Sequence, residues 1–137
     1  MQKYFISIDV FESNVYLFIG DIKEVTSYIE KKYNILFERG VERSIGFAFR
    51  IVDANGTDFG YGIWLENFDN SIDSYPILAH ECLHVADFIL KDRKIKETEE
   101  NNETLAYTFD FIFRKFLNKL KNKRTRIKND RKKQNKN

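Results

Sequence analysis

The sequence predicts an α+β domain that combines a small antiparallel sheet with a pair of helices. Two segments alternate apolar and polar residues with the period of half-buried strands, and each is interrupted by residues typical of a turn. Further segments repeat apolar residues at the spacing of an amphipathic helix. With 137 residues, of which 42% are hydrophobic, the chain can form one domain around a single modest core.

The first predicted hairpin and the helix after it occupy residues 1–34. The first strand alternates apolar and more polar residues, with its apolar side chains at Tyr4, Ile6, Ile8 and Val10. The tripeptide ESN then predicts a turn, and VYLFIG predicts the second strand. Asp21 is expected to cap the helix 21–34, and Glu24 to complete a capping box with it.

The second predicted hairpin is the clearest in the chain. Asn55-Gly56 accepts the positive φ angles of a tight type I′ turn between two apolar strands. On the returning strand, Gly60 and Gly62 leave the backbone uncovered beside Trp64. Bare backbone in a strand indicates close approach by another chain or a ligand, or else a twist or bulge in the sheet. The first alternative makes Gly60, Gly62 and Trp64 part of an exposed edge strand that a substrate can pair with.

Two helices are predicted after a polar loop. Pro76 suits the first turn of a helix that runs to about Leu90. A charged connector follows, and Asn101 or Asn102 is expected to cap the last helix. The buried stripe of that helix is predicted to consist of Leu105, Phe109, Ile112, Phe113 and Phe116.

Charge divides the chain into a predicted domain, residues 1–117, and a basic tail, residues 118–137. From Arg114 onward there are twelve Lys or Arg and one acid, whereas the chain before Arg114 has eleven Lys or Arg and twenty Asp or Glu. Past Leu120 a single apolar residue remains, which predicts a disordered or frayed segment. Such a tail can hold nucleic acid or an acidic partner, or it can be a solvated terminus enriched in lysine by A+T-rich codons.

Composition also bears on the compartment. The sequence contains no run of 18 apolar residues, so we expect no membrane span. The N-terminal segment alternates in polarity and contains Asp9 and Glu12, unlike a signal peptide. The single cysteine, Cys82, fits a reducing compartment. We therefore expect a cytoplasmic protein.

The stretch LAHECLHVADF contains both histidines of the chain. On a helix, His80 and His84 stand one above the other, so both imidazoles can bind a single ion, and Glu81 can reach a water bound to that ion. This H-E-x-x-H pattern is typical of a catalytic zinc site in which the carboxylate takes a proton from the water. Zinc is therefore the predicted cofactor, and the alternative is an idle pair of histidines.

The eighteen residues after His84 end at Glu103, in the segment NNETLAY. This combination resembles the gluzincin metallopeptidases, in which H-E-x-x-H is followed by a glutamate ligand on a later helix. Asn102-Glu103 is similar to an element of the aminopeptidase branch, and Ala106-Tyr107 is similar to its continuation. The stretch 76–116 also resembles small zincin-like proteins that bacteriophages and prophages encode.

The resemblance implies a minimal zincin-like domain, in which an edge strand lies over a helix pair and its metal. It implies that His80, His84 and Glu103 bind zinc and that Glu81 is the general base. One difference concerns Tyr107, which stands where thermolysin-like relatives have an aspartate that orients a ligand. Another is that no further histidine is present to stabilise an oxyanion.

Three residues near these positions have alternative interpretations. Tyr107, one turn beyond Glu103, can donate to the oxyanion or can be packed between the helices. Asp87 lies on the same helix face as the histidines, where it can accept an imidazole N–H or be a solvent-facing charge. Cys82 points to the other side of the helix and is expected to be a core residue, not a ligand.

Together these features predict a minimal zinc-dependent metallopeptidase, encoded by a phage or mobile element, that acts on a peptide or protein substrate. The alternative is a non-catalytic zincin-like component of a virion or another assembly, whose basic tail contacts nucleic acid or an acidic partner. A regulator that cleaves a transcriptional repressor is a third possibility. The first and third place the protein in the host cytoplasm, and the second places it in the virion.

Overall fold

The computed structural model describes residues 1–33, 44–52, 58–96 and 98–134, with residues 58, 59 and 123–134 described by their backbone alone. It confirms an α+β fold of four strands and three helices. The elements in chain order are β1 (Gln2–Ile8), β2 (Ser13–Ile19), α1 (Ile22–Tyr33), β3 (Gly46–Val52), β4 (Asp58–Leu65), α2 (Ser74–Asp92) and α3 (Asn102–Gln134). The predicted Asn55-Gly56 turn lies outside the described residues.

The sheet is mixed, so the prediction of an antiparallel sheet is wrong in one respect. Its strand order is β1-β2-β4-β3. Both hairpins, β1–β2 and β3–β4, are antiparallel, as their turns require. The two hairpins join through β2 and β4, which run parallel to each other. Alternation within a strand predicts a hairpin, but it contains no information on how two hairpins meet.

This strand order contradicts the prediction that Gly60, Gly62 and Trp64 form an exposed edge. They belong to β4, which has a neighbour on each side, whereas β1 and β3 are the outermost of the strands that the structure describes. A side chain at Gly60, where φ is 130°, would collide with the backbone carbonyl of Asn14, and one at Gly62 would collide with the ring of Phe49. Trp64 is 2% exposed, and its Nε1–H donates to the Gly20 carbonyl at 2.8 Å.

The glycines of β4 therefore serve the sheet itself. The pairing register shifts between Ile51 and Val52, opposite the start of β4. This irregularity agrees with the alternative that bare backbone marks a bulge. Close approach at these glycines is by neighbouring parts of the same chain.

Each face of the sheet is covered by helices. On one face, α1 packs Val25 and Ile29 against Phe18 and Trp64 of the sheet. On the other face, α2 and α3 pack against each other and against the strands. Residues from these two helices form a large part of this main core, namely Leu78, Cys82, Val85, Ala86, Ile89, Ile112, Phe116 and Leu120.

The start of α1 confirms one predicted interaction and corrects another. Oδ1 of Asp21 accepts from the backbone N–H of Lys23 at 2.9 Å and of Glu24 at 3.1 Å, as expected of an N-cap. The Glu24 carboxylate does not complete the capping box, since it pairs with the ammonium of Met1 at 2.9 Å. The turn before β2 also differs, because a 3-10 turn at Asp9–Phe11 takes the end of the predicted first strand.

The predicted basic tail, residues 118–137, begins within α3, and its disorder or fraying stays a prediction. α3 continues to Gln134, and Leu120 is the last buried residue among the side chains described for this helix. Lysine, arginine and glutamine have high helix propensity, and the segment contains neither glycine nor proline to end the helix. No helix in the described part of the chain is both long and apolar enough to cross a membrane.

Candidate metal site and buried carboxylate

The histidine pair lies on α2, on the side away from the main core. Leu78, Cys82 and Val85 are fully buried, which leaves His80 and His84 exposed one turn apart. Their Nε2 atoms are 3.0 Å apart. Two imidazoles on one tetrahedral zinc, with Zn–N distances of about 2.0–2.1 Å, hold these nitrogens about 3.3 Å apart. The observed separation is that of a hydrogen bond between the two rings and is close to the separation on a shared ion.

Glu81 differs from both histidines, since it is only 6% exposed. Burial raises the pKa of its carboxyl group, against the opposing influence of His80, His84 and a hydrogen bond from the backbone of Ala48. The side chain thus lies near both imidazoles and reaches β3, against which α2 packs. It is a carboxylate held between the histidine pair and an edge strand.

The register of β3 explains why Ala48 can donate to Glu81. The backbone N–H of Glu66 donates to the carbonyl of Ile45 at 3.0 Å. Hydrogen-bonded pairs alternate along an antiparallel ladder, so Phe47 is the next residue of β3 bonded to β4. The N–H and C=O of Ala48 then point away from β4, toward the outer edge of the sheet, where Glu81 can accept.

The structure does not bring Glu103 to the histidines. Glu103 lies in the first turn of α3 and is exposed. Within the described ranges, no three or more His, Cys, Asp or Glu side chains form a group able to hold a metal. Two imidazoles fit zinc in chemistry and spacing, and the third ligand remains a prediction based on resemblance.

Tyr107 is also separate from the histidine pair. It is 70% exposed and borders an apolar groove of about 450 Å³ between α3 and the 3-10 turn after β1. The groove is lined by Ile8, Asp9, Val10, Phe11, Thr104, Tyr107, Thr108 and Phe111. Neither histidine nor Glu81 is among them, so nothing here supports an oxyanion role. The high exposure also differs from the alternative of a tyrosine packed between the helices.

Asp87 forms an ion pair on the surface of α2, and Cys82 lies in the core. The Asp87 carboxylate accepts from Lys91 Nζ at 2.8 Å, one turn along α2, instead of from an imidazole. Cys82 is fully buried in the main core, and burial raises the pKa of its thiol. The prediction that Cys82 is a core residue is confirmed.

Three side chains that the sequence did not predict to interact, Arg50, Tyr61 and Asp92, hold β3 and β4 to the C-terminal end of α2, and we call them the clamp. The Arg50 guanidinium donates to both carboxylate oxygens of Asp92, at 2.9 and 3.0 Å, and the Tyr61 hydroxyl donates to the same group at 2.9 Å. Burial raises the pKa of Asp92, but the bonds from Arg50 and Tyr61 outweigh it, so the pKa is lowered.

The clamp also connects to the histidine pair. The Arg50 guanidinium lies 4.2 Å from the centre of the Phe88 ring, which stacks on the ring of His84 with a centroid distance of 6.4 Å. Arg50 and Asp92 are 42 residues apart in the chain. No local pattern links residues at such a separation, so sequence reasoning had no signal for this clamp.

Comparison with known proteins does not add a relative. No protein-family model matches the chain, and no curated protein and no solved structure matches it. The interpretation of the histidine pair and Glu81 therefore depends on their own geometry.

Proposed function

We propose that the chain is a small zinc-dependent peptidase of the gluzincin type, with His80, His84 and Glu103 as zinc ligands and Glu81 as the general base. The observation that carries this proposal is the position of Glu81. Its carboxylate is buried beside two exposed imidazoles whose Nε2 atoms are 3.0 Å apart. Burial holds the carboxylate in place while the imidazoles stay open to solvent and substrate.

Zinc bound at this pair would lower the pKa of a coordinated water and polarise the scissile carbonyl. Glu81 accepts the proton of the attacking water and delivers it to the leaving nitrogen. The hydrogen bond from Ala48 orients the carboxylate.

The substrate in this proposal is an extended peptide that pairs with β3. Among the described strands β3 is an edge strand, and it packs against α2. The outward-pointing backbone groups of Gly46 and the carbonyl of Ala48 suit strand addition, while the Ala48 N–H donates to Glu81. This assignment replaces the predicted edge at β4. A peptide added to β3 runs past Glu81, which already contacts the strand at Ala48.

Metal analysis and a peptidase assay on the same samples test the proposal. The full-length chain is expected to contain close to one zinc per molecule and to cleave a mixed fluorogenic peptide library. Glu81→Gln is expected to keep its zinc and lose activity by about 10²–10⁴-fold, the usual contribution of a general base. Asp87→Asn, on the same helix, is the matched control and is expected to keep both. Activity that survives in Glu81→Gln contradicts the proposal.

A second candidate is an inert zincin-like component of a virion or another assembly, encoded by a phage or mobile element. It is favoured because Glu103 lies outside the histidine group and because α3 continues as a basic helix to Gln134. In this case residues 118–137 contact nucleic acid or an acidic partner. Zinc binding without cleavage of any library peptide would support this candidate.

A further inference from the structure

A cluster of aromatic and lysine side chains lies on the other face of the sheet, the face that α1 covers. We call it the lysine–aromatic shelf and define it as Lys3, Phe5, Tyr16, Tyr28 and Lys32. Phe5 of β1 pairs directly with Tyr16 of β2, and their ring centroids are 5.2 Å apart. Tyr28 and Lys32 come from α1. The shelf therefore joins the β1 edge of the sheet to the surface of α1.

Two ammonium groups of the shelf converge on one phenol oxygen. Lys3 Nζ donates to the Tyr28 hydroxyl at 3.0 Å, and Lys32 Nζ donates to the same hydroxyl at 3.3 Å. Among the described side chains, neither ammonium pairs with a carboxylate. Two ammonium groups that contact the same oxygen repel each other, so an anion that contacts both would be stabilised. The pKa of Tyr28 is lowered chiefly by the hydrogen bond that Lys3 donates, and less by the bond from Lys32 and by the charges of the two lysines.

Aromatic rings surround these cations. Lys3 Nζ lies 4.9 Å from the centre of the Tyr16 ring and 5.2 Å from that of Tyr28. Phe5 is 41% exposed, although its paired ring at Tyr16 is half-buried. An exposed ring on a rigid strand is a surface on which another flat ring can stack. The shelf thus offers stacking and anion binding side by side.

We propose that the lysine–aromatic shelf binds single-stranded nucleic acid, with a base stacked on Phe5 and a backbone phosphate between Lys3 and Lys32. Proteins that bind single strands combine these two contacts, since every base has a stacking face and every nucleotide a phosphate. A duplex keeps its bases stacked on one another, so it cannot use Phe5 in this way. The proposal is independent of the peptidase chemistry on the opposite face.

Binding of a labelled oligothymidylate of about fifteen nucleotides to the full-length chain tests the shelf, by fluorescence anisotropy at several salt concentrations. Lys3→Gln/Lys32→Gln is expected to weaken binding at least tenfold and to reduce the salt slope by about 1.4, since each lost phosphate contact on a single strand removes about 0.7. Lys23→Gln/Lys31→Gln removes the same charge from exposed lysines of α1 and is expected to change affinity less than twofold. Equal losses in both double variants overturn the proposal.

The basic segment 118–137 can bind any strand, so a second measurement locates the contact. Oligonucleotides that carry 5-iodouracil are cross-linked to the protein with light, and the modified peptides are identified by mass spectrometry. We expect cross-links at Phe5, Tyr16 or Tyr28, and about fivefold or greater weakening in Phe5→Ala, the loss of one stacked base. Cross-links only beyond Lys115, or equal competition by duplex DNA, overturn the proposal.

Discussion

The proposed zinc site takes one glutamate from the middle of α2 and one from the first turn of α3, and the fold holds the two glutamates differently. Glu81 is 6% exposed and is bonded to the backbone of β3 at Ala48. Glu103 is exposed at the start of its helix, after a connector rich in charge. Packing and a backbone hydrogen bond hold the Glu81 side chain, whereas the Glu103 side chain is exposed on a helix that packs against α2.

The difference shows which residues of the proposed zinc site are held in place before a metal binds. The histidine pair and Glu81 fall within about one turn of a helix whose opposite side is buried, so helix geometry places all three at once. Glu103 lies on a different helix with its side chain exposed, so its approach to the histidines would depend on the metal, since metal binding is often coupled to local folding.

Packing is expected to dominate the placement of α2. Leu78→Ala removes a fully buried side chain from the main core and should lower the free energy of unfolding by about 2–5 kcal/mol. Leu83→Ala, on the same helix but 45% exposed, is the matched control and should stay within about 0.5 kcal/mol of the parent. Urea denaturation measures both. Similar losses in the two variants would show that the core does not set the position of α2.

The histidines are expected to determine zinc affinity without holding the fold. His80→Ala should weaken zinc binding at least roughly a hundredfold, since even partners outside the coordination sphere typically cost 10–100-fold. Because His80 is exposed, the midpoint of thermal unfolding of the zinc-free variant should equal that of the zinc-free parent. Competition with a chromophoric chelator measures the affinity. Unaltered zinc binding in His80→Ala would remove the pair from the site.

Glu103 is the part of the site on which the contrast depends. Glu103→Gln should weaken zinc binding about tenfold or more if the exposed carboxylate joins the histidine pair. Mutation of residues that only hydrogen-bond to metal ligands already lowers metal affinity by about 10–100-fold. Glu99→Gln, four residues earlier and also exposed, is the matched control and should bind zinc normally. Equal affinity in the two variants would leave the histidine pair without the predicted third ligand.

Sequence patterns predicted the features that form between residues close together in the chain. Patterns of a few residues predicted correctly the hairpin pairing of β1 with β2, the Asp21 cap and the burial of Cys82. Each depends on neighbours within one strand, turn or helix. The convergence of the two histidines also followed from helix geometry alone.

Features formed by distant segments were missed. The parallel pairing of β2 with β4 and the contact of Glu81 with Ala48 each join segments that no local pattern connects. The Arg50–Asp92 bond is of the same kind. The backbone of α3 continues as a helix to Gln134, which agrees with the high helix propensity of its lysine, arginine and glutamine residues.

The clamp at the end of α2 gives the smallest expected effect and depends on pH. The pKa of Asp92 is lowered in the folded chain, so its bonds to Arg50 and Tyr61 contribute stability above the unfolded pKa of about 4 and lose it as the pH falls through the folded pKa. Asp92→Asn should therefore cost about 1 kcal/mol near pH 7, a value reduced for partial exposure, and the cost should shrink in acid. Asp87→Asn, which breaks an exposed ion pair on the same helix, should change stability by less than about 0.5 kcal/mol. Urea denaturation near pH 7 and in acid measures the free energy of unfolding of both variants and the parent. A cost for Asp92→Asn that grows in acid would mean that the clamp depends on another group.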